Sequence, residues 1–139
     1  MKRKKLFFFA GVACCLLLAA WGYHLYCTPR KTAAEQSADV RIAADKLYDA
    51  YASDEQTANR QYLDKIIEVT GVVIDVQQVD KGWGILLTAG PGKPGGVNCS
   101  LVSTGGTGTM PGIGKKVVIK GKCAGFLADV NITDAVLLQ

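Results

Sequence analysis

Two cysteines carry the sharpest chemical signal in the domain part of the chain. Val97, Cys99 and Leu101 alternate with Asn98 and Ser100, and Val117, Ile119, Gly121 and Cys123 alternate with Lys116, Lys120 and Lys122. A period of two is that of a strand, so both sulfurs are expected to point into the interior. In an oxidising compartment an inward pair is a disulfide candidate, closing a loop of about 24 residues and contributing roughly 3 kcal/mol by the chain-entropy argument. The alternative is two buried free thiols that behave as small apolar side chains. A bridge also requires the strands to bring the Cα atoms within about 7 Å.

Other chemistry has less to work with. His24 is the only histidine in the sequence and lies in an apolar N-terminal run, so no Ser-His-Asp arrangement can form in the domain. There is no C-x-x-C, and Cys14, Cys15 and Cys27 belong to the same N-terminal run, which argues against a zinc tetrad. Asp75, Asp129 and Asp134 read as turn or rim residues. No catalytic residue, metal ligand or cofactor is therefore expected. The 103–109 stretch, STGGTGT, is glycine-rich but lacks a G-K-[S/T] ending and a following helix, so it reads as a barrel loop. A possible ligand surface comprises Trp83 as a stacking ring, Asn98 and Ser100 as polar groups, and Lys116, Lys120 and Lys122 as a basic strip. A row of lysines on an exposed strand also discourages edge pairing, which gives the strip a purely structural reading as well.

The elements that must hold these residues begin with a membrane signal. Lys2, Arg3, Lys4 and Lys5 precede residues 6–27, which contain no Asp, Glu, Lys or Arg. Roughly 20 apolar residues span a bilayer as a helix. Trp21, Tyr23 and Tyr26 crowd the far end, where aromatic rings favour the headgroup region, and Arg30 and Lys31 follow. A cleaved signal peptide has a shorter apolar core and small residues before its cut, so the run reads as an uncleaved anchor. The Val12-Ala13-Cys14-Cys15 stretch is similar to a lipidation site, but Gly11 stands where Leu is usual and about a dozen apolar residues still follow. The positive-inside rule puts residues 1–5 in the cytoplasm as a basic tail and the rest of the chain outside, in the periplasm of a Gram-negative cell. Of the sixteen Lys and Arg, six flank this segment, leaving ten against twelve Asp and Glu in the exported part. The formal charge of +4 is thus a topology signal and no footprint for nucleic acid.

Residues 28–42 read as a linker, and 43–139 as the domain. Leu47, Tyr48 and Tyr51 share a helical face from Ala43 on, and a second short helix is expected across 54–62, capped by Ser53 or Asp54 with Ala58, Tyr62 and Leu63 inward. From Lys65 the period becomes two. Residues 67, 69, 71 and 73 place one face inward, yet the apolar residues then change parity, so the strand must bend or bulge, with Gly71 as the flexible point. Four further strands are expected over 83–88, 97–102, 115–124 and 130–138, with a turn at Asp80-Lys81-Gly82 and loops at 89–96 and 103–114. The fold class is mainly β with N-terminal helices: a five-stranded OB-fold-like barrel behind a single transmembrane helix, although a five-stranded SH3-like barrel or an open sheet would use much the same pattern.

Particular stretches carry a resemblance. Ala44-Asp45-Lys46-Leu47-Tyr48, Asp54-Glu55, Ala58-Asn59, Tyr62-Leu63-Asp64-Lys65, Glu68-Val69-Thr70-Gly71, Val97-Asn98-Cys99, Gly121-Lys122-Cys123 and the run from Asp129 to Leu137 resemble the tRNA_anti-like family over about residues 43–138. The resemblance implies an OB-fold domain, exported or membrane-attached, and through the family's name it implies nucleic-acid binding. It supplies no catalytic residues. The residues themselves favour a non-enzymatic, membrane-tethered binding module of the cell envelope, its partner an envelope protein or glycan. Single-stranded nucleic acid is the alternative, and it conflicts with the acidic balance of the exported part.

Overall fold

In the computed structural model of the chain, the described residues are 2–27, 32–33, 35–79, 82–102 and 109–138, with side chains described from Gly11 on. The chain divides into two compact units, Met1–Arg30 and Lys31–Gln139. The first is the helix α1, Lys2–Cys27. Among the described residues no helix is long and apolar enough to cross a membrane. The expected span opens at Leu6, and the side chains of residues 6–10 lie outside the described set, as do the turn residues Asp80 and Lys81 and most of the glycine-rich 103–109 stretch.

The second unit runs β1 (Val40–Ala43), α2 (Ala44–Ser53), α3 (Glu55–Tyr62), β2 (Ile66–Val79), β3 (Gly82–Thr88), β4 (Gly96–Val102), β5 (Lys116–Phe126) and β6 (Val130–Leu137). The strand order is β1-β2-β3-β4-β6-β5, and β2 also pairs with β5. That last pairing closes a five-stranded barrel, with β4 and β6 parallel and the other barrel pairs antiparallel. Strand β1 lies within the stretch expected to be linker. Four residues were too few to show a period, but paired in parallel with 67–70 they supply backbone partners along an edge of β2 that β3 does not reach.

The long strand β2 belongs to both halves of the barrel: residues 66–72 pair with β5 and residues 73–79 with β3. The change of parity occurs at Ile74, which the β2–β3 register skips. Such a bulge inserts one residue and turns the following side chains over. Gly71 has a different role from the bend expected of it. A Cβ there would come within 2.9 Å of the Ala44 Cβ and 3.1 Å of Leu87, so the missing side chain admits α2 against the sheet.

Helix α2 buries Ala44, Leu47, Tyr48 and Tyr51, and α3 buries Ala58 and Tyr62. Asp54 caps α3: its carboxylate accepts from the Thr57 N–H at 3.1 Å and from the Thr57 hydroxyl at 2.6 Å, and these bonds hold its pKa below the ordinary value. Leu63 turns outward instead of inward, because α3 stops at Tyr62 and Asp64 takes a left-handed φ of 63° to lead into β2. Phe126 joins the aromatic cluster of the helices, stacked on Tyr51 and edge-on to Tyr48, each at 5.8 Å between centroids.

Cys99 and Cys123 do point inward and are fully buried. They are not bridged: both are free thiols. The expected disulfide fails because β6 lies between their strands. Ile132 is the register partner of Cys99 on one side and of Cys123 on the other. Two strand spacings of about 4.8 Å put the cysteines about 9 to 10 Å apart, beyond the reach of a bridge. Burial pushes the Cys99 thiol up to about 12, and the Cys123 sulfur lies 3.3 Å from the Tyr51 hydroxyl. Burial, and then that contact, raises the Tyr51 hydroxyl as well.

Two outcomes follow for the thiols and one for Gly71. Unfolded in iodoacetamide without prior reduction, the protein should alkylate at both Cys99 and Cys123; a pair that reacts only after reductant would show a bridge. Because the Cys99 thiol rises from 9.0 to about 12, its neutral form stabilises the fold fully below about pH 9, and that contribution is lost as pH rises toward 12. Urea titrations across this range should show Cys99→Ala losing less stability with pH than the parent. Gly71→Ala should lower stability by about 1 to 3 kcal/mol by the same measurement, through the contact with Ala44 and Leu87.

Candidate functional site

Three rows of outward residues cross β2, β3 and β4. Register pairs Asp75 with Leu86 and Leu86 with Asn98; Gln77 with Gly84 and Gly84 with Ser100; and Val79 with Gly82 and Gly82 with Val102. The centre of two of these rows is glycine. With no side chains there, the β3 backbone becomes the floor of a trough whose walls are the side chains of β2 and β4. The cavity measures about 290 Å³ and is lined by Asp75, Gln77, Val79, Gly84, Leu86, Asn98, Ser100 and Asp129.

Glycine in mid-strand weakens a sheet, and it often marks close approach of a ligand or another backbone. At Gly84 nothing in the fold itself requires it: the nearest atom to an added Cβ is the Gln77 carbonyl oxygen at 3.8 Å. This is the opposite of Gly71, where packing forbids the side chain. The Ile74 bulge is what turns Asp75 and Gln77 to the trough, since unbroken alternation from the buried Val69 and Val73 would send both inward.

The polar groups of the trough are held in place from below. The Asp75 carboxylate accepts from the Val76 N–H at 2.9 Å and from the Gln77 amide at 2.6 Å. The Asp129 carboxylate accepts from the Gly96 N–H at 2.6 Å, fixing the β5–β6 turn to the start of β4. Two carboxylates, two amides and a hydroxyl face an apolar strip of Val79, Leu86 and glycine backbone. No lysine or arginine lines the trough among the described residues. The arrangement suits multiple hydrogen bonds to a ligand without negative charge.

Of the expected ligand surface, Asn98 and Ser100 lie in the trough. Trp83 does not. It shares the parity of the buried Ile85 and Leu87, and it packs with Met110 against the core. The lysines lie on β5, which pairs with β2 and β6 and is not paired with β3 or β4. Lys122 pairs with Asp64 at 2.9 Å, and Lys120 donates to the Gln36 carbonyl at 3.0 Å and stands in register with Glu68. The strip is therefore interleaved with carboxylates. Sequence reasoning missed Gln77, Val79, Gly84 and Leu86 and read Asp75 and Asp129 as turn or rim residues; Gly84 and Leu86 follow from the alternation G-W-G-I-L once the inward parity of Trp83 is fixed, and Asp75, Gln77 and Val79 from the change of parity at Ile74.

A closed barrel in which the first long strand serves both halves and the third and fifth barrel strands run parallel is an OB-fold, with its ligand-bearing face formed by the strands that make this trough. The tRNA_anti-like family model matches residues 1–139, and the chain belongs to that family. Among solved structures, a protein of Klebsiella pneumoniae subsp. pneumoniae, named as a candidate nucleic-acid-binding lipoprotein, is similar at 12% identity with a TM-score of 0.59. The match covers 75% of this chain and 100% of that one and bears on the fold alone. No curated protein matches the sequence.

Gly84→Val should leave the barrel folded and raise its stability by up to about 1 kcal/mol, as a β-branched residue entering an open strand position. Urea denaturation of the two proteins measures the difference, and a loss of stability would show that Gly84 serves packing and no ligand.

Proposed function

We propose that this chain is a non-enzymatic binding module of the cell envelope, held to the membrane by its N-terminal segment and binding a neutral, polyhydroxylated ligand, a glycan, in the trough over Gly82 and Gly84. The observation that carries the reading is the composition of the trough: amide, hydroxyl and carboxylate walls over a bare backbone floor. Sugar hydroxyls donate to and accept from such groups, while the flat C–H faces of the ring pack on glycine backbone and on Leu86. OB-folds bind oligosaccharides on this face as well as oligonucleotides. Membrane attachment is supported by the uncharged run of residues 6–27, the helical state of α1 and the basic residues ahead of it.

A nucleic-acid reading is favoured by the name of the Klebsiella structure and the family's name. Opposing it are the two carboxylates of the trough and the inward Trp83, because single-strand binders combine a basic groove with exposed stacking rings.

The full chain in detergent micelles, titrated with neutral N-acetylglucosamine oligosaccharides and separately with a short oligodeoxythymidine at low and physiological salt, tests both. Saturable binding of the glycan by the parent and at least tenfold weaker binding by Gly84→Val is expected, with no oligonucleotide binding even at low salt, where its electrostatic attraction is greatest. Oligonucleotide binding that Gly84→Val abolishes would replace the first reading with the second.

A further inference from the structure

A second cavity, of about 500 Å³, opens between α3 and the β5–β6 hairpin, on the other side of the turn that carries Asp129. One wall is a ridge of Glu55 and Asn59, four apart on one face of α3, continued by Leu63 at the C-cap, whose N–H donates to the Asn59 carbonyl. The facing wall comprises residues 124–127 with Asn131 and Thr133. The hairpin is shaped to leave this space. The β5–β6 register breaks between Cys123 and Gly125, and Gly125 takes a φ of 102°, with an added Cβ pointing at the Leu63 side chain and the Asn59 Oδ1.

The chemistry of the cavity is one-sided. The Asn59 Oδ1 is buried and has no hydrogen-bond partner, the condition in which a polar group gains most from an incoming donor. One helical turn away stands the Glu55 carboxylate, exposed and in no ion pair among the described residues. The mouth is apolar: Leu127 is 89% exposed and Leu63 39%, and Phe126 is half-buried beside them. An inner neutral acceptor, an outer negative charge and an apolar collar together select a ligand with several N–H donors, a positive charge and an aliphatic stem.

We infer that this cavity is a recognition site for an alkylguanidinium group, the side chain of an arginine presented by a partner polypeptide. A guanidinium carries five N–H donors in a planar fork, so it can reach Asn59 and Glu55 together, whereas an ammonium is a point charge. Its methylene stem covers Leu63 and Leu127, as long charged side chains do on apolar surface. The inference does not rest on what the trough binds.

The test is a titration of the full chain in detergent micelles with Nα-acetyl-arginine methylamide, with the uncharged citrulline and the lysine counterparts as comparisons, followed by amide NMR shifts. Shifts are expected at the backbone amides of Asn59, Gly125 and Leu127, and not at Gly84 or Ser100. Glu55→Gln and Asn59→Leu should each weaken the arginine derivative at least fivefold, while Asn59→Asp, which keeps the acceptor and adds charge, should tighten it. The variants should keep the parent's thermal midpoint to within a few degrees, and Glu55→Gln alters only an exposed side chain, so a folding defect in Asn59→Leu would leave it as the deciding variant. Equal binding of the citrulline or lysine derivative, parent-like affinity in Glu55→Gln, or no shifts at millimolar ligand would overturn the assignment.

Discussion

Strand β2 has two edges to satisfy and a single run of residues with which to do it. One edge meets β5 over residues 66–72; the other meets β1 over 67–70 and then β3 from Val73. In this barrel closure rests on one strand serving both halves, and strict alternation would then carry the wrong face to the core in the second half. The bulge at Ile74 resolves the conflict. It leaves Val69 and Val73 inside, brings Val76 against the core, and sets Asp75, Gln77 and Val79 outside as one wall of the trough. The trough is thus a by-product of barrel closure. Gly71 completes the arrangement, since only a residue without a side chain lets Ala44 approach the strand and α2 cover the barrel.

The position of β6 between β4 and β5 has a similar reach. It makes β4–β6 a parallel pair, which closes the ring of strands, and it separates two cysteines that alternation alone places on the same interior. The core then relies on packing instead of a covalent link: Ile132 fills the space between the sulfurs, and a Cβ at Gly121 would meet its Cγ2 at 2.5 Å. The left-handed Asp134, at φ 51°, sits within the stretch where β6 loses register with both neighbours, so it belongs to the bend of that strand.

The helices, the strands after Lys65 and the inward faces of β4 and β5 were legible in the sequence because each has a clean period. The places that were not legible share a physical reason. Val40–Ala43 is too short to show alternation. Ile85, Leu86 and Leu87 are apolar on both parities, which hides the side on which Trp83 lies; Gly82 then looks like a turn residue and Gly84 like an unremarked strand position, when both face the trough side of β3. The pairing of Cys99 and Cys123 depends on which strands are neighbours, and that is a property of topology that local pattern does not carry. Asn59 and Phe126 look like surface and loop residues until the hairpin folds against α3.

The distribution of charge ties the two surfaces together. Four basic groups of the second unit are engaged locally: Arg41 with Glu68 at 2.6 Å, Lys93 with Asp49, Lys122 with Asp64, and Lys120 at the Gln36 carbonyl. Exposed pairs of this kind add little stability, but they cancel the field that a polyanion would follow to the surface. What remains on the two concave sites is acceptor-rich: Asp75 and Asp129 in one, Glu55 and Asn59 in the other. Binding through counterion release demands clustered cations on the domain; there they form the β5 strip, in which Lys122 is paired with Asp64 and Lys120 with the Gln36 carbonyl, and four more stand at the N-terminus ahead of the apolar segment. On the proposed reading, recognition by the barrel comes from hydrogen-bond geometry and from the shape that glycine leaves open, which puts its weight on Gly84 and Asn59 rather than on the lysines.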